Sequence, residues 1–161
     1  MRELYFASVF LHILAAAVWV GGMIFLVLVL IPAIRKNPEK ALLLHTIGLK
    51  FRTVGWVILS ILLVTGLYNM HFRQVAFTWQ GLTESYAGRM AGYKLLIFTV
   101  TVLISAIHDF YIGTTATRLW MDKADIQKTN RFRFWARWAG RINVLLALMA
   151  VGIGVALVRG F

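Results

Sequence analysis

From Leu4 to Ile31 the chain carries no formally charged side chain, and further apolar stretches follow at Thr53 to Phe72, Met90 to Trp120 and Trp135 to Val158. A helix needs about 20 predominantly apolar residues to cross the hydrocarbon of a bilayer. With no water to satisfy backbone polar groups there, only helices and closed barrels are viable spans. Continuous apolar runs of this length, without the alternation of barrel strands, predict helices. The expected fold is therefore an all-α integral membrane protein, a four-transmembrane-helix bundle with helices at about 4–31, 39–72, 90–120 and 134–158.

The rest of the chain agrees. Of its 161 residues 60% are apolar and only 14% charged, and the mean hydropathy is +0.77, too oily for a water-soluble domain of this size. Four spans use most of the length, so residues 1–161 form a single domain. The first stretch is too long for a cleaved signal peptide, and Gly21 and Gly22 lie inside it rather than at a cleavage boundary. There are no cysteines, which excludes disulfides, thiolate metal sites and covalent c-type haem attachment.

A net charge of +11 would suggest nucleic acid in a soluble protein. Here the basic residues flank apolar spans, so the expected partner is anionic lipid at the cytoplasmic face and no nucleic acid. Lys and Arg number five between Pro32 and Arg52, three between Arg73 and Lys94, and seven between Arg118 and Arg141. The positive-inside rule then makes the first and third connections cytoplasmic. Both termini are expected outside (periplasmic), in a bacterial-type inner membrane. Phe77, Trp79 and Tyr86 in the middle connection suit the headgroup layer.

Ionisable groups inside a bilayer are costly and usually face the protein interior, which makes them the first places to seek function. His12 shares a helix face with Ala16, Trp19 and Met23, at offsets of four, seven and eleven, each within about 40° of the His12 direction. An imidazole, a small gap and an indole on one stripe fit a planar or metal-bearing ligand, and equally ordinary packing. His71 closes the second span, beside Met70, with Met90 opening the third. On the third span Lys94, Thr101, Ser105 and His108 share a stripe bordered by Asp109, which reads either as a lining for water, protons or an ion or as interhelical hydrogen bonding. Arg118, Arg141 and Asn143 are candidate partners for His108 and Asp109. His45, on a basic segment, is expected to be a solvated surface residue. Nucleotide-binding and hydrolase motifs are absent.

The run Leu11-His12-Ile13-Leu14-Ala15-Ala16-Ala17-Val18-Trp19-Val20-Gly21-Gly22 resembles the first helix of the copper-resistance protein D (CopD) domain. Phe51-Arg52 with Val64-Thr65-Gly66-Leu67-Tyr68-Asn69 resembles its second helix, and Tyr86-Ala87-Gly88-Arg89 leading to Lys94-Leu95-Leu96 its third. The chain is also similar to the related HemJ membrane proteins, through His12 and Trp19 and through Arg141-Ile142-Asn143. It departs from HemJ in having Val144 where an acidic residue follows the Asn, and from many CopD proteins in having His108-Asp109 at the end of helix three.

The resemblance implies a His-ligated ligand that is either a copper ion or haem b. In the copper reading an ion enters near His71, Met70 and Met90 and reaches His12, and no catalysis is required. In the haem reading His12 is an axial ligand, with Trp19, His71 and His108 as further cofactor-binding candidates, and the protein is a b-type cytochrome or a porphyrin-handling oxidoreductase. A third reading is a structural subunit of a larger membrane complex, and a homodimer is compatible with any of them.

Overall fold

Helix boundaries in this chain follow from its proline, glycine and capping residues. The computed structural model describes residues 2–122 and 125–159. Helix α1 spans Arg2–Ala33, with Pro32 in its last turn, and α2 spans Lys40–Phe72. The turn between them is held by the Asn37 side chain, whose Oδ1 accepts from the Glu39 backbone amide at 2.8 Å. Beyond α2 the chain reverses through Gln74, which adopts the left-handed conformation with φ 57°. The short helix α3, Trp79–Thr83, is capped by the Thr78 hydroxyl. Ser85 caps the start of α4, accepting from the Gly88 amide at 2.9 Å; such caps satisfy the orphan amides of a first turn.

Helix α4 runs Tyr86–Met121 and α5 runs Ile126–Arg159. Both begin earlier than the apolar pattern predicted, α4 because of its Ser85 cap. From Ile126 onward, the polar stretch expected to separate the last two spans is itself helical. Asp125 Oδ1 accepts from the backbone amides of Gln127 and Lys128, at 2.8 and 3.2 Å, so α5 starts there rather than near Phe134. Lys123, one of the basic residues counted in this connection, lies outside the described residues. Two single wide turns of π-helix interrupt the ladder, Leu26–Leu30 in α1 and His108–Ile112 in α4.

All four long helices are long and apolar enough to cross a membrane, and the chain is a multi-pass membrane protein of bundle type. Neighbours pack antiparallel. In the α1/α2 pair, Tyr5 stacks on Phe72 at 4.0 Å between ring centroids, and Gly22 leaves room for the Phe51 ring, whose Cε2 lies 2.9 Å from where a Cβ at Gly22 would sit. In the α4/α5 pair the Tyr86 hydroxyl donates to the Ala156 carbonyl at 3.1 Å.

The centre of the bundle is a closed apolar cluster of Ala15, Trp19 and Met23 from α1, Ile58, Leu59 and Leu62 from α2, and Ala147 from α5, with Phe98 and Val102 of α4 against it. Large apolar side chains elsewhere point outward, Phe6 being 73% and Leu28 69% exposed, a surface stable only against lipid.

Helix α2 approaches α4 along Gly113–Met121, whereas the N-terminal part of α4, Tyr86–Ile107, packs mainly on α5. The two middle spans therefore diverge toward the end of the bundle that carries the termini.

Candidate functional site

At that end, His12 of α1 faces Thr65 of α2. The imidazole Nδ1 lies 2.7 Å from the Thr65 hydroxyl oxygen, and this hydroxyl lies 2.6 Å from the Ile61 carbonyl one turn back on its own helix. A carbonyl can only accept, so the hydroxyl proton goes to Ile61 and the hydroxyl oxygen accepts from His12 Nδ1–H. The hydrogen-bond network thus assigns the Nδ1–H tautomer, and Nε2 keeps its lone pair.

Gly66 lies against the ring: a Cβ there would stand 3.4 Å from the imidazole Cε1, in van der Waals contact with it. Trp19, two turns further along α1, belongs to the buried core below.

Lys94 of α4 is half-buried near the same end. Its ammonium is 3.3 Å from the place a Cβ at Gly154 would occupy on α5, so the small residue makes room for the charge. Lys94 stands within electrostatic reach of His12, and Arg73, at the end of α2, within reach of Lys94. Among the described residues no carboxylate pairs with Lys94. Asn69, one turn beyond Thr65 on α2, has a buried Oδ1 with no hydrogen-bond partner. The terminal end of the bundle thus combines a free imidazole nitrogen, unneutralised cations and an orphaned acceptor.

His71 is not brought to His12. It is exposed at the last turn of α2, six residues beyond Thr65, about 9 Å further along the helix axis. Met70 and Met90 are half-buried at this end. Among the described residues there is no group of three or more His, Cys, Asp or Glu side chains that could hold a metal ion.

The stripe on α4 divides into two environments. Thr101 and Ser105 are buried at the centre of the bundle, where Asn143 Nδ2 donates to the Ser105 hydroxyl at 2.9 Å. Asn143 Oδ1 is left buried without a partner. His108 and Asp109 sit in the wide turn and pair with each other, Nδ1 to Oδ1 at 2.9 Å.

Three partner expectations are corrected. The arginine at Asp109 is Arg52 of α2, which donates to the Asp109 backbone carbonyl at 3.3 Å and lies over the Phe110 ring; Arg141 lies instead over Trp138 of its own helix. Asn143 belongs to Ser105, one turn before His108. His45 is not a free surface residue, since its Nδ1 lies 2.9 Å from the Thr117 hydroxyl of α4. Each change has one cause: the antiparallel register of α2, α4 and α5 decides which turns meet, and sequence offsets within one helix do not report it.

Thr65, Asn69, Gly66 and Gly154 were not singled out from the sequence as site residues. The signal available for Thr65 was a hydroxyl inside an otherwise apolar run, a residue type that bonds its own helix as readily as a neighbouring one.

No family model matches the chain, and no solved structure matches it. A protein of the bacterium Aquifex aeolicus (strain VF5), described only as an uncharacterized protein, is 34% identical to it over 163 residues, an alignment covering 100% of this chain and 98% of the relative. A match of that extent leaves no span unpaired, and the chain belongs to the same family of bacterial multi-pass membrane proteins as the Aquifex aeolicus protein.

Proposed function

We propose that this protein carries a transition-metal centre on His12, and that the centre is the iron of haem b. The observation that carries the reading is the His12–Thr65 pair. A ligating histidine characteristically donates its other ring N–H to a fixed acceptor, which sets the tautomer and aims the remaining lone pair. His12 has that arrangement, with Nε2 free among the described residues. Bound haem would supply one-electron chemistry; the protein would supply the axial nitrogen, the orientation and the local charge.

Charge favours haem over a bare copper ion. An ion would add positive charge beside Lys94 and Arg73, neither of which is paired with a carboxylate among the described residues. Haem brings propionates, to which the two cations are suited as partners. The divergence of α2 and α4 toward this end supplies the direction from which a planar group would enter. The apolar cluster of Trp19 and Leu62 beneath excludes water from the far side. The likeness to CopD and HemJ proteins agrees with this reading.

A copper-handling reading is favoured by one observation, the half-buried Met70 and Met90 at the same end, since thioether sulfur suits copper(I). In either case we infer, from the positive-inside rule applied to the basic connections, that the termini lie on the outer face of a bacterial inner membrane.

The test is an absorption spectrum of detergent-purified protein, as isolated and after reduction, with elemental analysis for iron and copper. The haem reading expects a Soret band, sharpened reduced bands and iron near one per chain, all lost in His12→Ala while the protein still folds. Copper near one per chain without porphyrin absorption turns the assignment to ion handling. Neither metal in freshly prepared membranes, or full occupancy in His12→Ala, overturns the His12 assignment and leaves a structural subunit as the reading.

A further inference from the structure

At the opposite end of the bundle, α4 and the first turns of α5 enclose a cleft of about 780 Å3. Its walls include Ile107 and Tyr111 of α4 and Trp135 of α5, and its mouth carries Lys128 and Arg131. Lys128, Arg131, Tyr111 and Trp135 are all exposed. Asp125 also borders the cleft, but its Oδ1 already accepts two backbone amides at the start of α5. No ion pair with a carboxylate occupies either cation among the described residues.

From the architecture of this cleft we propose that it is a binding site for one anionic phospholipid, its phosphate held by Lys128 and Arg131 and its upper acyl chain lying along Ile107, Tyr111 and Trp135. Two features select this occupant. The charges sit at one end and the apolar and aromatic walls at the other, which is the polarity of a lipid and not of a free anion. The cleft also opens beside spanning helices at the end richest in Lys and Arg, where basic pockets between transmembrane helices recognise anionic headgroups. Trp and Tyr are stable at that depth because their rings are apolar with a polar tip. The site lies at the other end of the bundle from His12 and does not depend on what His12 holds.

The experiment is native mass spectrometry of the detergent-purified full chain titrated with phosphatidylglycerol or phosphatidylcholine of identical acyl chains, with inorganic phosphate as a third arm. The wild type is expected to retain one phosphatidylglycerol in preference to phosphatidylcholine. A basic side chain near a membrane surface contributes roughly a fivefold preference for anionic lipid, so Lys128→Gln with Arg131→Gln is expected to lower that preference by roughly 10- to 30-fold. The charge-preserving pair Lys128→Arg with Arg131→Lys keeps it, which separates lost charge from lost folding. Ile107→Trp, which fills the cleft with both cations intact, is expected to reduce retention as well. Equal retention of the two lipids by the wild type, displacement by millimolar inorganic phosphate, or undiminished preference in the neutralised variant would each overturn the proposal.

Discussion

His12 Nδ1 and Thr65 Oγ1, from adjacent antiparallel spans, stand 2.7 Å apart and fix each other's proton. Replacing the hydroxyl with a methyl group of the same shape removes the acceptor for His12, along with the hydroxyl's own bond to the Ile61 carbonyl. Thr65→Val is therefore expected to lower retention of a His12-bound metal centre by roughly 10- to 100-fold, the usual effect of losing an outer-shell partner. It should cost stability only about 0.5–1.5 kcal/mol, as for other interhelical hydrogen bonds in membranes. Thr65→Ser should restore retention. Cofactor content per chain and thermal unfolding in detergent, measured on the same preparations, separate the two effects.

Lys94 carries a charge into the bundle with no paired carboxylate among the described residues, so its removal should divide stability from function. Lys94→Met is expected to stabilise the cofactor-free protein by roughly 1–3 kcal/mol, because charged side chains within spans are costly. The same change should weaken retention of an anionic cofactor. A fall in both thermal midpoint and retention would indicate that Lys94 has a structural partner instead.

Ser105 and Asn143 form a buried pair whose two halves are not equivalent. Ser105→Ala leaves Asn143 with both its amide nitrogen and its oxygen unpaired, a penalty of about 1–3 kcal/mol for each buried polar group. Asn143→Leu removes the polar group altogether. The double variant should therefore be more stable than Ser105→Ala alone, a sign of coupling that a thermal unfolding series over the four combinations would read directly.

Gly22 is a steric requirement. A Cβ at this position would come 2.9 Å from the Phe51 ring, which packs against the core. Gly22→Ala is expected to destabilise the protein by about 1–3 kcal/mol, the range for overpacking a close-packed site. Phe51→Leu in the same background should recover part of the loss.

The spans were legible because bilayer thickness imposes a length on each apolar run and Pro32 imposes a stop. That His12 would find a polar partner was legible for a related reason, that an imidazole in hydrocarbon requires one. Which partner it finds was not. His12 meets Thr65, His45 meets Thr117 and Asn143 meets Ser105 through the register between helices, in which close approaches such as Gly22 on Phe51 take part. Such approaches are properties of pairs of segments, whereas a hydropathy pattern describes one segment at a time. The early start of α5 escaped for a different reason. Its first turns are basic and carry no apolar run, yet Asp125 caps them and the chain continues as helix.

The wide turn at His108–Ile112 holds one more residue than an α-helical turn would. Everything after it is rotated by about 100° from where an unbroken helix would put it. One continuous span can therefore pack against α5 with its first half and add α2 as a neighbour with its second, without a proline. In mechanical terms α4 is a shaft with a phase shifter built in. Shortening that turn by one residue would leave both halves helical but retime every contact that follows, including the meeting of Thr117 with His45.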